Sequence, residues 1–457
     1  MRAGAALWLG LLAAMPAAAQ ENGDLDRIPA MLENAPPPPA ASNAHGKYYA
    51  EDAFTLSSLR GTLAVPVPPP SSSRWVNRTS LDAYDQWSLD KNLSFTFSDR
   101  FNLSEAEGIG FPGEAARNDL REAYFTWEPV TQTFVEAGRI NLKSGIALGF
   151  NPTDFFKTRT GVAQASADPS SLREDRFGTA MLRVQTIWDD GSATFVYAPK
   201  LHTPRQIGGA APGWIDPSFD QTNASDRFLL IVNFEAGNFS PQALAYHESG
   251  RTKLGLNLSY PIGQSVIAYG EWAGGSEPDL IAQAIAYGKA TGTLPAFVPV
   301  LPPTSTSHAF RNDLAVGASW TSVTKVTLNL EYHFHQAGFS GGDWRNWFDT
   351  GAANPAAASE LWYVRGFAAA MQQPMSRHQA FLRADWQDAF VTDLELSAIS
   401  FVNLTDGSGM AQFAASYNLS DAWSVGAYVG GTFGCRRTEW GSLPGDASAI
   451  FQIDRYL

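Results

Sequence analysis

The chain reads as a transmembrane antiparallel β-barrel of about 18 strands, and three observations predict it. Segments of about ten residues alternate apolar and polar side chains, each closed by a turn signal. The connections between them fall into alternating short and long sets, as barrel hairpins do. Beyond the N-terminus no apolar run approaches the roughly 18 residues that a membrane helix needs.

Taken in order, residues 1–19 read as an export signal: Arg2 supplies the charge, Ala3 to Met15 the apolar run, and Ala17-Ala18-Ala19 the small residues before Gln20. Residues 20–50 are rich in Pro and Ala, with Pro36 to Pro39 in a row, and have no period of either kind. They read as an extended periplasmic leader or spacer, with docking of a periplasmic partner as the alternative role. The barrel is then assigned to 51–457. With 32 basic against 45 acidic residues, a net charge of -13, nucleic acid is excluded as a partner. A lone cysteine, Cys435, excludes a disulfide scaffold.

The alternation is explicit in Leu93, Phe95 and Phe97 against Ser94, Thr96 and Ser98. It returns in Leu254 to Tyr260, Leu314 to Trp320, Val326 to Phe334, Leu394 to Ala398 and Ala411 to Leu419. Short connections are expected at Asp90-Lys91-Asn92, Pro129 to Gln132, Asp189-Asp190-Gly191, Ala236 to Asn238, Pro261 to Gln264, Ser322 to Lys325, Phe390 to Asp393 and Ser420 to Trp423. Long ones cover roughly 66–79, 105–118, 144–177, 202–225, 277–308, 339–375 and 435–446, with tight exceptions near Ser249 and Asp406. The strand before the first short turn runs inward, so an outward strand must precede it, and Phe54 to Val65 fits that place. The count is then even, with both ends periplasmic. Trp87, Trp127, Trp188, Trp272, Trp320, Trp386 and Trp423 fall near strand ends, where interfacial girdles form.

If the apolar face of each strand meets lipid, the other lines the pore. That places Arg100, Arg139, Asn141, Lys143, Arg183, Arg227, Lys253, Glu271, Glu331, His333, Arg383 and Asp385 inside, with basic residues concentrated on the first ten strands and acidic ones on the last eight. The strand around Gly138 fits only if Phe134, Glu136, Ile140 and Leu142 share the lipid face. The loop after it is the expected constriction, with Asn151, Pro152, Thr153 and Asp154 forming a compact turn. Two further loops carry helical spacing, Asp279 to Ala290 with Asp279 as N-cap, and Ala357 to Gln373 stopped by Pro374. They would either cover or plug the outer mouth, or pack on each other outside it.

Catalytic signatures are missing: no nucleophile elbow, Walker loop, zinc-protease motif or calcium loop occurs, and the expectation is a protein that is not an enzyme and takes no cofactor. Glu331-x-His333-x-His335 puts three ligand-type side chains on one strand face. Polar lumen lining is preferred to a metal there, and no metal site is assigned.

At Arg121-Glu122-Ala123-Tyr124, Gly138-Arg139 and Asn151-Pro152-Thr153-Asp154 the chain resembles a group of proteobacterial outer-membrane proteins. In these a Leu-Arg-Glu-Ala-Tyr-like strand, a Gly-Arg strand and an Asn-Pro-Thr-Asp loop follow one another. The match covers roughly 119–157. In size and strand number the chain is also similar to the alginate-export family, whose conduit is strongly electropositive where this lumen reads as mixed. The resemblance implies a porin-like channel or an exporter. The expectation is therefore a monomeric or trimeric barrel in a Gram-negative outer membrane, passing a small hydrophilic or amphipathic solute, with Arg139, Lys143, Arg183 and Arg227 facing Glu271, Glu331 and Asp385. An export component for a polysaccharide or other product is the rival, and a plugged structural barrel the third reading. Expected partners are outer-membrane lipid and lipopolysaccharide, the barrel-assembly machinery, and the solute.

Overall fold

The computed structural model describes residues 46–67, 73–107, 116–162, 165–207, 213, 215–234, 237, 239–295, 300–301 and 306–457. The export signal, the leader up to 45, and Glu235, Ala236 and Asn238 of one expected strand end and turn lie outside the described residues.

Eighteen strands are found among the described residues. They are β1 (Lys47–Leu59), β2 (Trp75–Asp90), β3 (Leu93–Ala106), β4 (Ala116–Val130), β5 (Thr133–Ile140), β6 (Thr179–Trp188), β7 (Gly191–Ala198), β8 (Arg227–Phe234) and β9 (Gln242–Glu248). The second half comprises β10 (Arg251–Ile262), β11 (Val266–Glu277), β12 (Ala309–Thr321), β13 (Val326–His335), β14 (His378–Trp386), β15 (Leu394–Asn403), β16 (Gly409–Ser420), β17 (Trp423–Phe433) and β18 (Gly445–Tyr456). Each pairs antiparallel with its neighbour in sequence, and β1 also pairs with β18, Tyr49 opposite Tyr456. The sheet is closed, so no strand edge is left for a hydrocarbon environment to penalise. Short turns and long loops alternate as expected, including the tight outer turns at Glu248–Arg251 and Asn403–Gly409.

The outward face carries the greasy half of the alternation. Leu254, Leu256, Leu258, Val316, Leu328, Leu330, Phe413 and Phe451 are exposed, whereas their sequence neighbours Asn257, Asn329, Glu331, His333 and Gln412 are buried. Such a belt is costly in water and favourable in lipid, which fixes the barrel as a transmembrane one. Trp87, Trp127, Trp188, Trp320 and Trp423 are likewise exposed near strand ends.

Three expectations need correction. β1 begins at Lys47, inside the assigned leader, because Lys47 to Leu56 find partners along β2 from Tyr84 to Trp75. Val65, expected to end that strand, leaves the sheet and is fully buried in an apolar cluster over the barrel. The third concerns β5, which is reversed in facing: Glu136 lies opposite Arg183 and forms a buried ion pair with it at 2.9 Å, and Ile140 and Leu142 are buried among Tyr124, Phe155 and Phe156. Gly138, at φ 140°, has a backbone that a side chain would strain, and a Cβ there would fall 2.3 Å from the carbonyl oxygen of Ala123.

Helices belong to the long loops: α1 (Pro169–Glu174), α2 (Phe219–Thr222), α3 (Leu280–Ala290), α4 (Gly341–Ala353) and α5 (Ala358–Ala370). Asp279 is the N-cap of α3, accepting from the Ala282 amide at 2.8 Å, as the sequence suggested. An apolar cluster joins Leu280, Ile285, Leu301, Trp347, Leu361 and Val364 from α3, α4, α5 and their loops to Val65 of the β1–β2 loop. The β1–β2 and β11–β12 loops are rooted on nearly opposite sides of the ring, so side chains that meet between them meet across its opening. The helices therefore pack on one another and over the opening together.

Candidate functional site

The loop between β5 and β6 leaves the wall at Asn141 and returns at Gly178, and its course is set by carboxylates that the barrel points inward. On β11, Glu271 Oε1 accepts the backbone amides of Ile146 and Ala147. Two strands on, Glu331 accepts the amide of Leu148 at 2.6 Å and that of Gly149 at 2.9 Å. Four successive amides thus satisfy two buried carboxylates, an arrangement that stabilises both partners because each would otherwise be desolvated without a bond. The approach is close enough to require glycine. A Cβ on Gly145 would lie 2.6 Å from the Glu271 carboxylate, and one on Gly149 2.6 Å from Phe381 and 2.7 Å from His333.

The Asn-Pro-Thr-Asp segment follows as a compact turn, the Asp154 amide donating to the Asn151 carbonyl at 3.3 Å. Asn151 Nδ2 donates to the Ala147 carbonyl. Thr153 Oγ1 lies 2.9 Å from Asn257 Oδ1 on β10 and 3.0 Å from Glu271 Oε2. Asp154 accepts from Arg176 Nη1 at 2.7 Å and Nη2 at 3.2 Å, both side chains being buried, and this bidentate pair ties the outgoing limb to the returning one. Phe155 stacks on Tyr246 of β9 at 4.7 Å, against an inward face that is itself apolar at Val196, Leu229, Ile231 and Leu244. Here both faces of β7, β8 and β9 are hydrophobic, one toward lipid and one toward the loop, and each buried aromatic contributes about 1.5–3 kcal/mol.

The far limb continues along the wall opposite β5. The Ala167 amide donates to Gln412 Oε1 of β16 at 2.9 Å, and Arg383 of β14 pairs with Asp168 at 3.0 Å and donates to Ser170 at 3.1 Å. Lys143 meets Glu174 at 2.6 Å, and Arg121 of β4 meets Asp175 at 2.7 Å. Between β5 and β16 the loop has crossed the lumen. Above, it carries the cap: the Arg159 amide donates to the Ala370 carbonyl at 2.7 Å, and Arg159 Nη1 to the Tyr287 hydroxyl at 2.9 Å.

Of the other residues assigned to the pore, Arg100 sits in a chain of alternating charge, Arg78–Glu51–Arg100–Asp82–Arg121–Asp175, buried except at its two ends, with separations of 2.5 to 3.3 Å. Arg183 pairs with Glu136, Lys253 with Glu277 at 2.7 Å, and Asp385 with Arg383 at 3.0 Å. Arg227 donates to the Thr222 carbonyl and lies over the Phe156 ring at 4.6 Å. Asn141 Nδ2 donates to the Arg173 and Glu174 carbonyls at 3.0 and 2.9 Å. Arg139 lies on the strand face opposite Ile140, donates to the Pro217 carbonyl and covers the Phe177 and Phe219 rings. The expected arginines do not face Glu271 and Glu331 across open space: Arg183 is paired with Glu136, while Arg139 and Arg227 are taken up by backbone carbonyls and aromatic rings. His333 Nε2 lies 2.7 Å from Glu331 and His335 Nδ1 2.7 Å from Asp313, so both imidazoles are engaged by carboxylates.

Helix α4 carries site residues that the sequence reading passed over. Its signal is the Ser340-x-x-Asp343 capping box, in which Ser340 and Asp343 bond reciprocally ahead of Trp344, Trp347 and Phe348.

No protein-family model matches the chain, and no curated protein matches it. Among solved structures it is similar to Pseudomonas aeruginosa OccK11 (OpdR) at 10% identity and a TM-score of 0.49, covering 90% of this chain and 95% of that one. Salmonella typhi OmpF in complex with daunomycin matches at 10% identity and a TM-score of 0.42, over 90% of this chain and 97% of that one. A triple mutant of the Rhodopseudomonas blastica porin matches at 8% identity and a TM-score of 0.41, over 90% and 99%.

Proposed function

We propose that the chain is an outer-membrane channel that passes a small hydrophilic or amphipathic solute past a lumen narrowed by the loop 141–178. The observation that carries this reading is the seating of that loop. It leaves the wall at β5 and is held across the ring by Glu271 on β11, Glu331 on β13, Arg383 on β14 and Gln412 on β16, so that it crosses the lumen instead of capping strand ends. An inward face rich in paired charges suits a hydrated path, since ions of both signs are stabilised there without a single-sign barrier. Outer-membrane residence follows the barrel architecture, short turns at one rim and long loops at the other.

The export reading draws support from the cap, because an apolar helical cover over the mouth suits a conduit that opens on demand. Planar-bilayer recordings of the chain with and without residues 20–50 separate the two. A passive channel shows steady conductance that is indifferent to the leader; an exporter depends on it. Absence of conductance in both forms would remove the channel.

A further inference from the structure

At the start of α4, that helix and the loops 404–408 and 434–444 line an open pocket of about 190 Å³, whose walls include Trp344, Phe348, Thr405, Asp406, Arg345 and Arg437. It lies outside the lumen, and the argument for it stands independently of the channel reading. Its floor is apolar: Trp344 and Phe348 are buried and their rings stack at 5.8 Å with an interplanar angle of 27°. A hydrophobic cavity of about 150 Å³ already accommodates a benzene ring, so this one has room for a ring-sized body.

Its rim carries two guanidinium groups. The Arg437 guanidinium lies over the Phe348 ring at 5.7 Å and pairs with exposed Asp349. Arg345 is exposed and has no hydrogen-bond or ion-pair partner among the described residues. The one carboxylate in the wall, Asp406, is occupied by its own surroundings, accepting from the Ser408 amide at 2.8 Å, the Ser408 hydroxyl at 2.6 Å and the Glu439 amide at 2.8 Å. The guanidinium forks are therefore the groups with donors to spare, and their planar geometry matches a carboxylate.

We propose that this cavity binds a small carboxylate carried on an apolar ring, the ring lying against Phe348 and Trp344 and the carboxylate held by Arg345 and Arg437. Bound there, such a compound is concentrated at the start of α4.

The test uses the full chain folded in detergent micelles, with benzoate as the probe and calorimetry plus tryptophan fluorescence as readouts. Saturable benzoate binding is expected, weakened at least tenfold by Arg345→Ala and lost in Thr405→Trp, which fills the cavity. Both substituted positions are on the surface, and retained heat-modifiable migration identifies folded protein. Benzyl alcohol, which lacks the charge, and inorganic phosphate, which lacks the ring, are each expected to bind at least tenfold more weakly than benzoate. The assignment is overturned by non-saturable benzoate binding to folded wild type, by equal affinity in Arg345→Ala, or by equal affinity for either control compound.

Discussion

Glu331 Oε2 on β13 accepts the backbone amide of Gly149 at 2.9 Å, joining the barrel wall to the middle of the lumen loop. The bond depends on the missing side chain, since a Cβ at 149 would overlap Phe381 and His333. Gly149→Val is therefore expected to push the loop off β13 and break the paired amide bonds. Single-channel recordings of this variant should show new, larger or noisier conductance levels, and a trace superposable on wild type would refute the contact's role.

The Asp154–Arg176 pair predicts a second effect. Removing Asp154 leaves a buried guanidinium without its carboxylate, a change that costs about 3–5 kcal/mol in comparable settings. For Asp154→Ala the barrel is expected to remain folded while the loop becomes susceptible to protease. Asp154→Asn, which keeps one acceptor, is expected to lose less. Equal protection of all three chains would argue against a tie between the two limbs.

A pH dependence follows from Glu439 in the β17–β18 loop. Its carboxyl is buried, accepts from Ser376 Oγ at 2.5 Å and Asn403 Nδ2 at 2.9 Å, and is pushed up to about 7 chiefly by burial, with Asp406 raising it further while Arg365 and the two hydrogen bonds pull it down. Arg365, stacked at 5.2 to 5.7 Å on Trp344, Trp347 and Trp362, donates to the Glu439 carbonyl and so ties α5 to the same loop. The folded value lies above the unfolded one, so the folded cap holds the extra proton in between. Its stability is greatest below about pH 4.5 and falls as the pH rises toward 7, by roughly 3 kcal/mol over the whole interval. Hydrogen exchange of the α4 and α5 amides should be slower at pH 5 than at pH 8 after correction for intrinsic rates. Glu439→Gln should flatten that difference.

Leu330 projects from β13 and is 61% exposed. Leu330→Arg would place a charge on the lipid-facing belt, at a cost of about 2–4 kcal/mol near the bilayer midplane. Unfolding titrations in lipid vesicles should register that loss; an unchanged midpoint would mean that this face does not meet hydrocarbon.

Much of this was legible in the residues. Period-two runs such as Leu254 to Tyr260 define strand, face and turn together, because a shift of one residue would exchange every greasy and polar side chain. β5 was misread for a local reason: Glu136 and Arg183 pair inside while Ile140 and Leu142 face an apolar patch created by the loop's Phe155 and Phe156. Alternation shows that two faces differ, but not which is inside when both are partly apolar. The contacts of Glu271 and Glu331 were equally hidden, since their partners are backbone amides more than a hundred residues away and carry no side-chain signal. The capping box at Ser340 was visible and would have placed α4.

The central claim is that the loop 141–178 narrows the path through the barrel. Deleting residues 150–172 and recording single-channel conductance in planar bilayers tests it most directly. The account predicts a clear rise over wild type in the same salt, while a conductance equal to wild type would contradict it.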